Sequence, residues 1–98
     1  MPAYIYADVE VTDPALYEAY RARVPAVIAA HGGRYLVRGG ACELLEGEAM
    51  PQRQVILEFP DIAHLKAFYT SPEYRELIAI RQSASRGRLV AMEGLPPL

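Results

Sequence analysis

Among its 98 residues the chain has one cysteine, Cys42, and two histidines, His31 and His64. A lone thiol excludes an internal disulfide and any cysteine-based metal cluster, and it fits a reducing cytoplasm. With no histidine nearby in sequence, Cys42 is expected to be buried and structural rather than a nucleophile. Two histidines are too few for a three-histidine metal site, and no carboxylate spacing around them completes one. No basic run is present: the net charge is -2 with both signs mixed along the chain, which argues against a nucleic-acid partner. Long apolar runs are missing too. The longest, near Val24 to Ala30, is interrupted by Pro25 and falls far short of the roughly twenty residues a membrane span needs. Met1-Pro2-Ala3-Tyr4 shows no cationic region followed by an apolar one, so no secretory signal is expected. No glycine motif reads as a phosphate loop, because His31-Gly32-Gly33 follows a helical pattern whereas a phosphate cradle follows a strand and opens a helix.

What is present is an ordinary globular composition, with 52% hydrophobic and 22% charged residues. Residues 1–98 make one domain with a core over 3–94 and a proline-rich tail over 95–98; at this size help from a partner subunit is expected. Tyr4 to Val11 alternates with a period of two and predicts a strand. Thr12-Asp13-Pro14 supplies a cap and a first-turn proline for a helix that runs through Tyr17, Tyr20, Val24, Val27 and Ile28 to His31. Pro25 is expected to kink or break it, and Gly32-Gly33 to end it in a left-handed turn. A second strand starts at Arg34, meets a bulge expected at Gly39-Gly40, and resumes through Cys42 to Glu46 before turning at Gly47. Glu48 to Gln52, with Pro51, is a loop. A third strand spans Arg53 to Phe59. Pro60-Asp61 opens a helix through Tyr69, Ser71-Pro72 restarts it, and Tyr74, Leu77, Ile78 and Arg81 share its face. The last strand lies near Arg88 to Glu93.

The order strand, helix, strand, strand, helix, strand predicts an α+β, ferredoxin-like βαββαβ fold: a four-stranded antiparallel sheet with helices on one face. Alternation puts Ile5, Ala7, Val9, Tyr35, Val37, Val55, Leu57, Phe59, Leu89 and Ala91 under the helices. The opposite face then carries Tyr4, Tyr6, Asp8, Arg34, Leu36, Arg38, Ile56, Glu58, Val90 and Met92. That mixture of aromatic, aliphatic and charged groups is too apolar for an open surface, so a homodimer with the two sheets face to face is expected. Asp8 and Glu58 would pair there with Arg34 and Arg38.

The ordered segments Asp13-Pro14 with Tyr17 and Tyr20, His31-Gly32-Gly33-Arg34-Tyr35-Leu36-Val37-Arg38-Gly39-Gly40, Leu45-Glu46-Gly47, Glu58-Phe59-Pro60-Asp61 and Tyr69-Thr70-Ser71-Pro72-Glu73-Tyr74 resemble the family called domain of unknown function 1330. The resemblance covers about Ala3 to Gly94. It implies the dimeric α+β barrel superfamily, which includes small cofactor-free monooxygenases, lactone isomerases, haem-dependent enzymes and ligand-sensing domains, so the fold alone leaves function open.

Two classes of function remain. In one, the dimer is a small cofactor-independent enzyme acting on an anionic or enolisable organic metabolite: Arg38 with Arg34, Tyr6 and Asp8 would hold it, and His31 or Glu58 would move a proton. In the other, it is a non-catalytic metabolite-binding or protein-interaction module, and the same charges only fix register. Each candidate has a structural reading beside it. His31 suits a helix C-terminal cap, Arg38 an ion pair with Glu58 or Asp8, Arg34 a rim position, and Arg81 a pair with a carboxylate or carbonyl. No cofactor is expected; His31 could ligate haem iron only by leaving its cap.

Overall fold

The structure is a computed structural model and describes residues 1–48 and 52–96. Residues 49–51 of the predicted loop and 97–98 of the predicted tail lie outside the described residues.

Strand β1 (Ala3–Val11) alternates between core and outer face along its length, and the register places it between two antiparallel neighbours. Helix α1 (Pro14–Ala30) follows at once. The Asp13 side chain accepts from the Leu16 N–H at 3.1 Å, which satisfies one of the free donors of the first turn. The helix continues through Pro25 without the break that was one of the two expected outcomes. It ends in a paired-bond cap, with Gly32 N–H donating to Ala29 O at 3.0 Å and Gly33 N–H to Ile28 O at 2.9 Å. Gly32 takes the left-handed conformation, φ 76°. Gly33 is required for space instead: a Cβ there would sit 2.6 Å from the Phe59 ring and 2.8 Å from the Ile28 side chain.

Strands β2 (Arg34–Arg38) and β3 (Arg53–Phe59) pair antiparallel, then α2 (Ile62–Thr70), α3 (Pro72–Ala84) and β4 (Ser85–Glu93) complete the chain. Asp61 caps α2 by accepting from the His64 N–H at 2.8 Å. Ser71 serves both helices at their junction, its hydroxyl donating to Phe68 O and accepting from the Tyr74 N–H. The single four-stranded sheet has the order β2-β3-β1-β4. This is the ferredoxin-like arrangement read from the sequence, with the last helix split in two. Phe59, Phe68, Tyr74 and Leu77 are the largest fully buried side chains between sheet and helices. Each such side chain contributes about 1.5–3 kcal/mol by leaving water.

Four local expectations are corrected. The segment Cys42–Glu46 forms no strand, and Cys42 is exposed rather than buried. β4 begins at Ser85, three residues before the expected start, because Val11 and Glu10 extend the ladder to Ser85 and Arg86. The bulge lies earlier than Gly39-Gly40. Tyr35 pairs with Leu57 and Val37 with Ile56, so Leu36 is the extra residue. One inserted residue inverts the alternation after it. Arg38 therefore pairs with Val55 on the helix side, and Val37 passes to the outer face, the reverse of the sequence reading. Gly39 follows in the left-handed region, φ 70°, its N–H donating to Gln54 O at 2.8 Å as the chain leaves the sheet.

Candidate functional site

Arg38, brought inward by the bulge, joins a cleft between the sheet and helices α1 and α3. Its guanidinium lies 4.6 Å over the Tyr35 ring, and Nη2 donates to Arg21 O of α1 at 3.2 Å. Arg53 comes from the start of β3, on the same side as Val55 and Leu57, and reaches over the Tyr17 ring at 5.8 Å. It runs against Gly39, where a Cβ would collide with its guanidinium. The Arg53 Nε is buried and has no hydrogen-bond partner among the described residues. Arg81 enters from α3 and is only 7% exposed.

Aromatic rings connect these cations. Tyr17 and Tyr20 rings lie 5.5 Å apart, Tyr20 and Tyr74 6.3 Å apart, and the Tyr20 and Tyr74 hydroxyls meet at 2.8 Å. Burial pushes the Tyr20 phenol far up, reinforced by Tyr74 and opposed by Arg81. Burial also raises Tyr74, against Arg81, and Tyr35, against Arg38. These phenols are therefore protonated at neutral pH and act as hydrogen-bonding hydroxyls rather than bases.

No carboxylate or imidazole lines this cleft among the described residues, and Arg38, Arg53 and Arg81 form no ion pair there. Neither the carboxylate nor the carbonyl expected as a partner of the Arg81 side chain is found among the described residues. The enclosed volume is about 40 Å³, room for a few waters. A larger guest is accommodated only when a wall moves, and exposed Arg38 is held to α1 by a single hydrogen bond.

The other sequence candidates lie elsewhere. Tyr6 donates to the Gln54 Oε1, and Gln54 Nε2 donates to Asp8 Oδ1 at 2.7 Å, forming a chain on the outer face. Arg34 Nε and Nη2 both lie 2.7 Å from Glu58 Oε1, which is the pairing expected for these two. Arg38 takes no part in either group. His31 ends α1 with its Nδ1 3.0 Å from Val27 O and its ring edge-on to Phe68 at 6.0 Å. Neither His31 nor Glu58 lines the cleft. Arg53 was overlooked as a site residue, although its place in the period-two series Arg53, Val55, Leu57, Phe59 marks it as a cation on the apolar face. Tyr20 and Tyr74 were visible only as helix-face aromatics.

The fold and this cleft define the class: a ferredoxin-like α+β protein with a cationic and phenolic cleft under its helices. Within that class, the chain belongs to the family described as domain of unknown function (DUF1330), which it matches over residues 2–95. A protein of unknown function from Rhodopseudomonas palustris is 24% identical, with a TM-score of 0.80 over 98% of this chain and 84% of that one. A dimeric ferredoxin-like protein of unknown function from Jannaschia sp. CCS1 is 16% identical, with a TM-score of 0.72 over 96% and 100% of the two chains. SnoaB, a cofactor-independent oxygenase from Streptomyces nogalater, is 15% identical, with a TM-score of 0.62 over 99% and 95%. No protein of curated function matches the chain.

Proposed function

We propose that the helix-side cleft binds a small organic anion and that the protein is a cofactor-independent enzyme acting on an enolisable one. One observation carries this reading: Arg38, Arg53 and Arg81 converge on a cleft that no carboxylate lines among the described residues, and Arg81 is 7% exposed. A buried charge without a partner costs several kcal/mol, and an anionic guest offsets that cost. Guanidinium groups stabilise an enolate more than its neutral keto form, so binding raises the acidity of the guest. The Tyr20–Tyr74 hydroxyl pair donates a hydrogen bond to the developing oxyanion, and the α-proton passes to a water in the cleft. We assign oxyanion stabilisation to this pair and give no step to His31 or Glu58, which do not line the cleft. The likeness to a cofactor-independent oxygenase supports chemistry driven by the guest's own electrons.

Titration of 4-nitrophenol against the protein tests the site, since its colour reports ionisation. The expected result is a lower apparent pKa when bound; an unchanged pKa with full binding refutes enolate stabilisation. The lack of a lining carboxylate or imidazole favours a second reading, binding without turnover. Solvent deuterium exchange into a bound β-keto acid separates the two: exchange supports the enzyme and saturable binding without it supports the module.

The working unit in this proposal is a cytoplasmic homodimer. The single cysteine fits that compartment, and exposed Leu36, Val90 and Met92 on the outer sheet face fit a second copy packed against it. Ile56→Lys would place an unpaired ammonium in that interface, so the variant should sediment as one chain of 10.9 kDa where the parent sediments as two. A parent that sediments as one chain at micromolar concentration refutes the dimer.

A further inference from the structure

Arg81 lines a second space besides the closed cleft, and this one opens at the β4 edge. The hollow has a volume of about 210 Å³ and is walled by Val9, Tyr69, Arg81, Gln82, Ser85 and Leu89, beside Gly87. It shares Tyr69 and Leu89 with a groove of about 330 Å³ running along α2, bounded chiefly by Ile5, Leu65 and Ala91 with Lys66 at its rim. The helices cover β1 and β3 closely but leave the inner side of edge strand β4 open, with Leu89 half-buried and Ala91 exposed. No carboxylate lines either space among the described residues. The Tyr69 ring lies 5.8 Å from the Tyr74 ring, so the aromatic row of the cleft continues into the groove.

Building on the anion reading of the cleft, we infer that the guest is an amphipathic carboxylic acid with a body of aromatic-ring size, approaching from the β4 edge. Its carboxylate meets Arg81, and its body lies between Tyr69 and Leu89. Among the described residues Arg81 is the one cation shared by cleft and hollow, it is more than nine-tenths buried, and no carboxylate pairs with it. Hydrogen bonding and charge can be met by a small inorganic anion, but such an ion gains nothing from the apolar groove. The hollow and groove together fall in the range of roughly 300–1,000 Å³ typical of small-molecule sites. The closed cleft does not.

Calorimetric titration of the full chain with acetate, benzoate and 2-naphthoate tests this. Benzoate should bind at least about tenfold more tightly than acetate, the factor expected for burying one ring face, with 2-naphthoate tighter again. Leu89→Glu sets a carboxylate beside Arg81 and should abolish the aromatic preference. Tyr69→Ala, at a more exposed position, should weaken 2-naphthoate while leaving acetate nearly unchanged. Equal binding of the three acids overturns the amphipathic guest and leaves the anion reading intact. Failure of all three to bind a normally melting protein overturns both. Aromatic binding that develops only on dilution to single chains assigns the groove to a second copy and likewise overturns the inference.

Discussion

On the outer face of the sheet Arg34 lies 2.7 Å from Glu58 and Arg86 lies 3.4 Å from Glu10, whereas on the helix-covered face Arg38, Arg53 and Arg81 have no carboxylate within ion-pair distance among the described residues. The difference runs against solvation. Exposed Arg34 and Arg86 could rest in water unaided, yet they are paired; Arg81 has lost most of its water and is not. Exposed pairs contribute little to stability, and their value here lies in fixing cross-strand register. Unpaired buried guanidinium groups are costly, and the proposed anionic guest would offset that cost. The proposed site rests on this contrast between Arg34 and Arg86 on one face and Arg81 on the other.

The largest expected effect strikes both faces equally. Gly33→Val drives a branched side chain into Phe59 and Ile28, and it should lower stability by about 3 kcal/mol, the upper part of the range for overpacking. Denaturant melts check it; a variant as stable as the parent would show that Gly33 is not fixed by packing.

Arg81→Gln should separate the faces most sharply. It removes an uncompensated charge, so the unliganded protein should melt no lower than the parent, while affinity for benzoate falls by about 1.5–3 kcal/mol, the range for hydrogen bonds to charged groups. Loss of stability with unchanged affinity would make Arg81 structural and erase the contrast.

A middle-sized effect belongs to the phenols. Tyr20→Phe leaves the Tyr74 hydroxyl without its 2.8 Å partner and should cost about 1 kcal/mol. The raised Tyr20 and Tyr74 values also set a pH dependence. Their contribution is complete below the ordinary tyrosine value of 10.0, where folded and unfolded phenols are both protonated. Above it the unfolded chain ionises first, so stability falls as the pH climbs toward the raised folded values. Melting followed across alkaline pH should show a shallower decline in Tyr20→Phe than in the parent.

The smallest effect falls on the outer face. Arg34→Gln opens a pair whose arginine is largely solvated, and it should change stability by less than about 1 kcal/mol with benzoate affinity unaltered. A large loss of affinity there would return the site to the outer face.

Local physics made the scaffold legible in the sequence. Alternation in Tyr4 to Val11 and Arg53 to Phe59, the caps Asp13, Asp61 and Ser71, and the glycine pair after His31 each act within a few residues, so element order and the helix–sheet layering follow from them. The cross-strand partnership of Arg34 with Glu58 follows as well, because it precedes the bulge. The site depended on events that alternation does not encode. One extra residue at Leu36 inverted everything after it and moved Arg38 from the outer face to the cleft. Which residue of a strand bulges is settled by the twist and packing of the whole sheet rather than by the strand's own pattern. Tertiary structure alone brought Arg53, Arg81, Tyr20 and Tyr74 together from three elements, since side chains separated by tens of residues become neighbours only when helices dock on a sheet.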